Sequence, residues 1–242
     1  MTSAYVLALD TAHQQCAASI LSRDGKVAVW ASEAVGNKHA ERILSMVDEL
    51  IAKAGIKKTD LGLVAFGAGP GSFTGLRVAC GVAQGIAWAL RTDVAAVCNL
   101  EADAQAAADA ADLPAGTRIA VMNDARMQEA YSALYETAGK GERVKLVVEP
   151  CLVKPADIGA WLTECRADVG CGSALSVYAA EVTLPDTLRV IDIPADMILT
   201  LARLGFADEE AGKTVLPALA SPLYVRDRVA LTMAERARGE RL

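Results

Sequence analysis

Asp10-Thr11 closes the first apolar run of the chain, Tyr5-Val-Leu-Ala-Leu9. A carboxylate there can position a metal–phosphate unit, with the threonine hydroxyl beside it. It can equally cap a turn while Thr11 bonds locally. A second group is the loop Gly67-Ala-Gly-Pro-Gly-Ser-Phe-Thr-Gly75. Its glycines leave backbone N–H groups open, and it leads into a helix start, where the dipole favours anions. No Gly-Lys-Ser/Thr follows, so it is not a Walker loop. Two readings stand: a phosphate cradle using Gly69, Gly71 and Ser72, or a tight strand-to-helix turn in which Ser72 or Thr74 caps the helix. A third group, Asn123-Asp-Ala-Arg-Met-Gln-Glu-Ala-Tyr131, gathers Asp124, Arg126 and Glu129. A structural ion-pair network at a turn is the favoured reading there.

Other chemistry is missing from the sequence. There is no Gly-x-Ser-x-Gly and no His-Glu-x-x-His. The two histidines, His13 and His39, are far apart, and Ile43 stands one turn after His39, where a second metal ligand would sit. Six cysteines form no Cys-x-x-Cys pair and read as small buried hydrophobes of a reducing compartment. No metal site is expected.

The elements that must position these residues follow from periodicity. Strands are predicted over 5–9, 16–22 and 26–35, with the second and third joined by a turn at Asp24-Gly25. A helix over 38–54 carries Ala40, Ile43, Leu44, Val47, Leu50, Ile51 and Ala54 on one stripe and ends at Gly55. A strand at 61–66, the glycine loop, a helix at 74–91, a strand at 93–98 and a helix over about 100–111 complete the first half. After Leu113-Pro-Ala-Gly-Thr117 the order recurs: strands 118–123, 129–136 and 144–153, a helix 155–165 and a strand 168–172. A late helix covers 195–205, and the charged tail from Arg236 to Leu242 is expected to fray. This duplicated order predicts an α/β protein of the ribonuclease-H-like, actin/hexokinase/Hsp70 type. Its domains would be 1–112 and 113–242, the last segment packing back on the first. Between Leu76 and Leu90 only Arg77 and Gln84 are polar, so the helix at 74–91 must bury two faces. Gly81 and Gly85 lie four apart and let another body come close. The second face meets either the chain's own elements or a partner.

The bulk numbers narrow the class. The chain has 242 residues, 53% hydrophobic and 22% charged, enough for a sizeable core. Mean hydropathy is +0.28. It comes from scattered Ala and Val, so neither a membrane span nor a signal peptide is expected. The net charge of −6 argues against a protein that grips nucleic acid alone, because such a protein must replace phosphate counterions.

Leu-Ala-Leu-Asp10-Thr11-Ala12, Gly69-Pro-Gly-Ser-Phe-Thr-Gly-Leu-Arg77, Asp124-Ala-Arg-Met127 with Glu129 and Tyr131, and Pro222-Leu-Tyr-Val-Arg226 together resemble the TsaB (YeaZ-type) family, in order and over nearly the whole chain. The resemblance implies an actin-like cytoplasmic protein with no catalysis of its own. Such proteins partner and activate TsaD, the transferase that forms threonylcarbamoyladenosine beside the anticodon of tRNAs reading codons that begin with A. It further implies a TsaE-like ATPase as third member, a homodimer when alone, tRNA met only through the complex, and ATP used by the wider pathway rather than bound here as a cofactor. The two helices after the first meander would form the interface, with His39, Ile43, Met46, Val47, Leu50, Leu76, Val78, Cys80, Gly81, Val82, Gly85 and Trp88 as contacts. Asp10, Thr11, Gly69, Gly71 and Ser72 would be a vestigial nucleotide or phosphate site. Two rival readings are a small-molecule kinase of the same fold, opposed by Cys171 between Gly170 and Gly172, and a metallopeptidase-like enzyme, opposed by the histidine count.

Overall fold

The computed structural model describes residues 3–226 and Arg238. The tail expected to fray falls, apart from Arg238, outside the described residues. Two five-stranded sheets share one topology. In the first, β1 (Tyr5–Asp10), β2 (Gln15–Ser22) and β3 (Ala28–Ala34) form an antiparallel meander, and β4 (Leu61–Gly69) and β5 (Asp93–Cys98) add in parallel. The order is β3-β2-β1-β4-β5. In the second, β6 (Arg118–Asp124), β7 (Ala130–Glu136) and β8 (Lys145–Val153) form the meander, with β9 (Val169–Cys171) and β10 (Arg189–Val190) parallel to β6. The order β8-β7-β6-β9-β10 repeats the first. This is the duplicated ribonuclease-H-like architecture, legible in the sequence because most of its strands are short apolar runs bounded by turns or helical stripes.

The helices form layers around the sheets. On one face of the first sheet lie α1 (His39–Ala54) and α2 (Phe73–Leu90). Their Ile43, Met46, Val47, Leu50, Ala79, Ala83 and Ala87 join Leu7, Leu9, Ile20, Val64 and Phe66 in one core. The stripe expected on α1 needs correction: Met46 is fully buried, whereas Leu44 is 54% exposed. A 16-residue helix of 3.6-residue pitch on a twisted sheet buries a narrower band, Ile43-Met46-Val47-Leu50-Ile51. The opposite face of that sheet is covered by α6 (Met197–Glu210), whose Ile198, Leu201, Ala202 and Phe206 meet Val6, Ala8, Leu63 and Ala65. This helix runs five residues beyond its expected end. On the second sheet α4 (Ile158–Cys165) and the short α5 (Ala174–Val177) cover one face. A 3-10 turn at Pro155–Asp157 precedes α4 where continuous helix is expected, because proline opens it. Neither α5 nor the two-residue β10 has a sequence signal long enough to register.

Between the sheets lies α3 (Asn99–Ala110). Nine of its 12 residues are buried, six of them alanines or leucine, because backbone approaches from both sides. Its Leu100, Ala104 and Ala107 pack on Ile119, Val121 and Tyr135 of the second sheet, and Ala102 joins the core under α6. The helix thus joins the two halves. After α6, residues 215–226 form a strap across the first half. Val215 exchanges two backbone hydrogen bonds with Val94, each 2.9 Å, and the Leu223 amide donates to Ala68 O at 2.6 Å.

Candidate functional site

Two places collect the residues singled out above: the ends of β1 and β6, and the outer side of α2.

At the first, Asp10 is the last residue of β1 and is 3% exposed. Its Oδ1 accepts from the Ala12 amide at 2.8 Å, and its Oδ2 accepts from Asn99 Nδ2 at 3.1 Å and faces His13 Nδ1 at 3.0 Å. Thr11 donates its hydroxyl to Gly75 O at 2.6 Å. The glycine loop folds onto this turn. Ser72 N donates to Ala12 O at 2.8 Å, Gly69 N to Asn99 Oδ1 at 2.7 Å, and Gly75 N to the Ser72 hydroxyl at 3.4 Å. A Cβ on Gly71 would stand 2.8 Å from Ala12 Cβ, one on Gly69 would stand 2.5 Å from Leu223 O, and one on Gly75 would overlap the Thr11 carbonyl. The loop amides of Gly69, Ser72 and Gly75 are therefore spent inside the chain. Of the two readings of the loop, the geometry favours the tight turn capped by Ser72. Asp10, Thr11, Gly69, Gly71 and Ser72 are brought together, and the Asp10 carboxylate, the Thr11 hydroxyl and the Gly69 and Ser72 amides already have internal partners.

His13 completes this junction. Beyond Asp10, its Nε2 lies 3.3 Å from Asn123 Nδ2 and 4.0 Å from Asp103 Oδ2, and Asn123 donates to Asp103 at 2.6 Å. Burial opposes the ring's charge, but the Asp10 carboxylate and the further pull of Asp103 lift its pKa to about 9. Asp10 is held below the usual carboxylate range: burial pushes it up, and the His13 charge with three hydrogen bonds outweighs that. Asp103 is raised by burial. Sequence reading missed this network, whose members come from β1, the loop after it, α3 and β6. The only local hint was a histidine three residues after Asp10.

A titration consequence follows. A raised histidine pKa stabilises the fold fully below the unfolded value near 6.5, and that contribution is lost as pH rises through about 9. The shift corresponds to on the order of 3 kcal/mol. Wild-type melting temperature is expected to fall between pH 7 and 10 by more than that of His13→Gln. Parallel curves for the two proteins would refute the assignment.

The hairpin at 124–130 holds the third group. Tyr178 donates its hydroxyl to Asp124 Oδ1 at 2.6 Å, Arg126 pairs with Asp124 at 3.4 Å, and Glu129 pairs with Arg226. The ion-pair network is structural and includes the strap. Arg126, Met127 and Gln128 all have positive φ, between 55° and 61°, in a turn without glycine. All six cysteines are free, and burial pushes every thiol up, so none is poised as a thiolate nucleophile.

On α2 the structure separates the two faces. The strap covers one flank: Gln84 Nε2 donates to Ala220 O at 3.0 Å, and the Arg77 guanidinium lies over Phe73 and bonds the Tyr224 hydroxyl. Leu76 and Cys80 are buried, as are Ile43, Met46, Val47 and Leu50 on α1. These six are corrected as contact residues, because their side chains are spent on the chain's own core. Val78 and Val82 are half-buried against that core. Gly81, Gly85 and Trp88 face outward. A Cβ on either glycine would meet nothing within 4 Å, and Trp88 is 72% exposed. By length and composition α2 is apolar enough for a membrane span, with a third of it buried; its inner face lies on β4. His39 is half-buried at the start of α1, and its Nδ1 is the one buried side-chain nitrogen or oxygen without a hydrogen-bond partner among the described residues.

Fold and site together define a duplicated actin-like α/β protein in which the ends of β1 and β6 meet around His13 and α2 is left partly bare. Comparison with known proteins gives the family. Residues 32–166 match the model of "TsaD: tRNA N6-adenosine threonylcarbamoyltransferase". The chain is 34% identical over 237 residues to the tRNA threonylcarbamoyladenosine biosynthesis protein TsaB of Escherichia coli, covering 93% of this chain and 96% of that one. It is 40% identical over 131 residues to the Haemophilus influenzae protein of that name, about half of each chain. The solved structure of YeaZ from Pseudomonas aeruginosa superposes with a TM-score of 0.75 at 31% identity, covering 93% of this chain and all of that one. The chain belongs to the TsaB (YeaZ-type) family.

Proposed function

We propose that this chain takes part in forming threonylcarbamoyladenosine in tRNA as a non-catalytic partner and activator of a TsaD-like transferase. The modified base lies beside the anticodon of tRNAs reading codons that begin with A. Its relatives in Escherichia coli and Haemophilus influenzae, both tRNA threonylcarbamoyladenosine biosynthesis proteins TsaB, support the pathway. The observation that supports the role is the bare face of α2. A glycine in a helix interior costs about 1 kcal/mol relative to alanine. Gly81 and Gly85 carry that cost with no internal neighbour to require it, and Trp88 lies one turn on. Small residues beside an exposed indole suit a partner backbone in close approach. On α1, which packs on the same side of the first sheet, Leu44 is 54% exposed. A TsaE-like ATPase joins the pair, and alone the chain pairs with itself through this surface. It reaches tRNA only through the complex and works in the cytoplasm. The division at 112/113, with the closing segment belonging to the first half, is proposed with it, supported by α6 and Val215 lying against the first sheet.

The isolated chain is expected to transfer no threonylcarbamoyl group to tRNA, and a TsaD-like transferase to gain activity when it is added. Both are read as modified nucleoside by mass spectrometry after digestion. Turnover by this chain alone, or a transferase indifferent to it, would overturn the proposal.

A further inference from the structure

The open strip of α2 carries different chemistry at its two ends. Arg77, Gly81, Gly85 and Trp88 fall within roughly 80° of one another around a helix of 3.6 residues per turn, and Arg77 and Trp88 are only about 20° apart. The strap bounds this strip on the side of Gln84, and the half-buried Val78 and Val82 bound it on the other. Near the start of the helix stands a cation. The Arg77 guanidinium lies 3.8 Å from the centre of the Phe73 ring, and its Nε donates to the Tyr224 hydroxyl at 3.2 Å. Arg77 is exposed and has no carboxylate partner among the described residues. In the last turn stands an indole. Trp88 is the most exposed large apolar side chain among the described residues, and the next two, Leu219 and Leu216, belong to the strap beside it. Arg77 and Trp88 are eleven positions apart, roughly 16 Å along the axis. Their midpoint and that of the two glycines coincide to within about 1 Å.

We propose that the chain pairs with a second copy through antiparallel α2 helices that cross at Gly81 and Gly85, so that Trp88 of each copy stacks on Arg77 of the other. A two-fold axis at the level of the glycines brings each indole opposite the other copy's guanidinium, and symmetry makes the contact twice. One face of that guanidinium already lies on Phe73, and the indole covers the other face. The cation and the electron-rich ring that attracts it sit on one chain at equal distances from its barest point, so the strip is complementary in charge to itself. A parallel pair would instead set Trp88 on Trp88 and bring the two Arg77 charges together. The glycines supply only room. No atom lies within 4 Å of either Cβ position, so the backbones can close until the end groups meet. This register rests on the reading above that the surface pairs the chain with itself, and the experiment tells the two apart.

Sedimentation of the full-length chain measures the dimer, with circular dichroism as the check on folding. Trp88→Ala and Arg77→Met each change an exposed side chain, and each removes both symmetric contacts. Either is expected to weaken the dimer about tenfold or more. The double variant is expected to be no weaker than the worse single, because both changes delete the same contact. Effects that multiply would overturn the pairing of these two residues. Dimers indifferent to both changes yet broken by Gly81→Arg would overturn the register and leave the docking face standing. A wild-type chain that stays monomeric at its highest soluble concentration would overturn both. Cross-linking reads the register without touching the end groups. A mixture of Gly81→Cys and Gly85→Cys chains is expected to form disulfide-linked dimers under mild oxidation faster than either variant alone, counted over the wild-type background. Each variant joining its own kind faster than the mixture would overturn the antiparallel arrangement.

Discussion

Gly81→Arg is expected to leave the chain folded and to abolish its pairing, while Ala83→Glu, two residues along the same helix, is expected to unfold it. The contrast comes from helix geometry. Positions two apart on α2 differ by roughly 200° around the axis. Gly81 therefore opens to solvent with no atom within 4 Å of its Cβ position, and Ala83 is fully buried among the core residues of the first sheet. Arginine at 81 meets no internal obstacle and gains a little helix propensity. In a closely packed interface, however, its unpaired charge would cost roughly 2–5 kcal/mol, a thirtyfold to several-thousandfold loss of affinity. Glutamate at 83 places a carboxylate beneath the helix without a cation, costing about 3–5 kcal/mol of a marginal folding free energy. Circular dichroism separates the two outcomes, and light scattering with and without a TsaD-like protein measures the pairing. A folded Gly81→Arg chain that pairs normally both with itself and with the transferase would show that the bare face of α2 is not the interface.

The choice between Gly81 and Ala83 marks where sequence reading stops. Composition shows that α2 is apolar nearly all round. It does not show that the strap from Val215 to Arg226 claims the flank bearing Cys80 and Gln84, because that pairing spans some 140 residues. The order of elements was legible for a local reason: short apolar runs, a 3.6-period helix ended by Gly55, and turns rich in glycine each declare themselves within a few residues. The His13 junction did not, since Asp10, Asn99, Asp103 and Asn123 meet only after two halves close on α3. The alanine-rich run of α3 looked unremarkable as sequence. Its smallness is the imprint of a sheet on either side. The turn at Arg126–Gln128 was equally silent, because left-handed backbone there is imposed by the hairpin and its ion pairs and not by glycine.

Gly75→Ala is expected to be among the most destabilising single-methyl changes available in this chain, and it decides between the two readings of the glycine loop. Gly75 lies in the first turn of α2 with ordinary helical geometry, so alanine there carries no backbone strain and should by propensity alone stabilise by about 1 kcal/mol. What forbids it is proximity. The added Cβ would overlap the Thr11 carbonyl oxygen, and that carbonyl belongs to the turn carrying Asp10. Backbone on both sides cannot swing away as a side chain can. The helix start must move off β1, breaking the Thr11 hydroxyl bond to Gly75 O and the Ser72 amide bond to Ala12 O. Overpacking of this kind costs about 1–3 kcal/mol and more when backbone is the obstacle, and two buried hydrogen bonds add roughly 1 kcal/mol each. A net loss near 3 kcal/mol is expected in chemical denaturation of the isolated chain, with no phosphate or nucleotide present. If the glycines served mainly to cradle a phosphate, Gly75→Ala would keep wild-type stability and lose only ligand binding. A midpoint unchanged from wild type would therefore return the loop to the phosphate reading and take with it the view that its glycines exist to let α2 touch the end of β1.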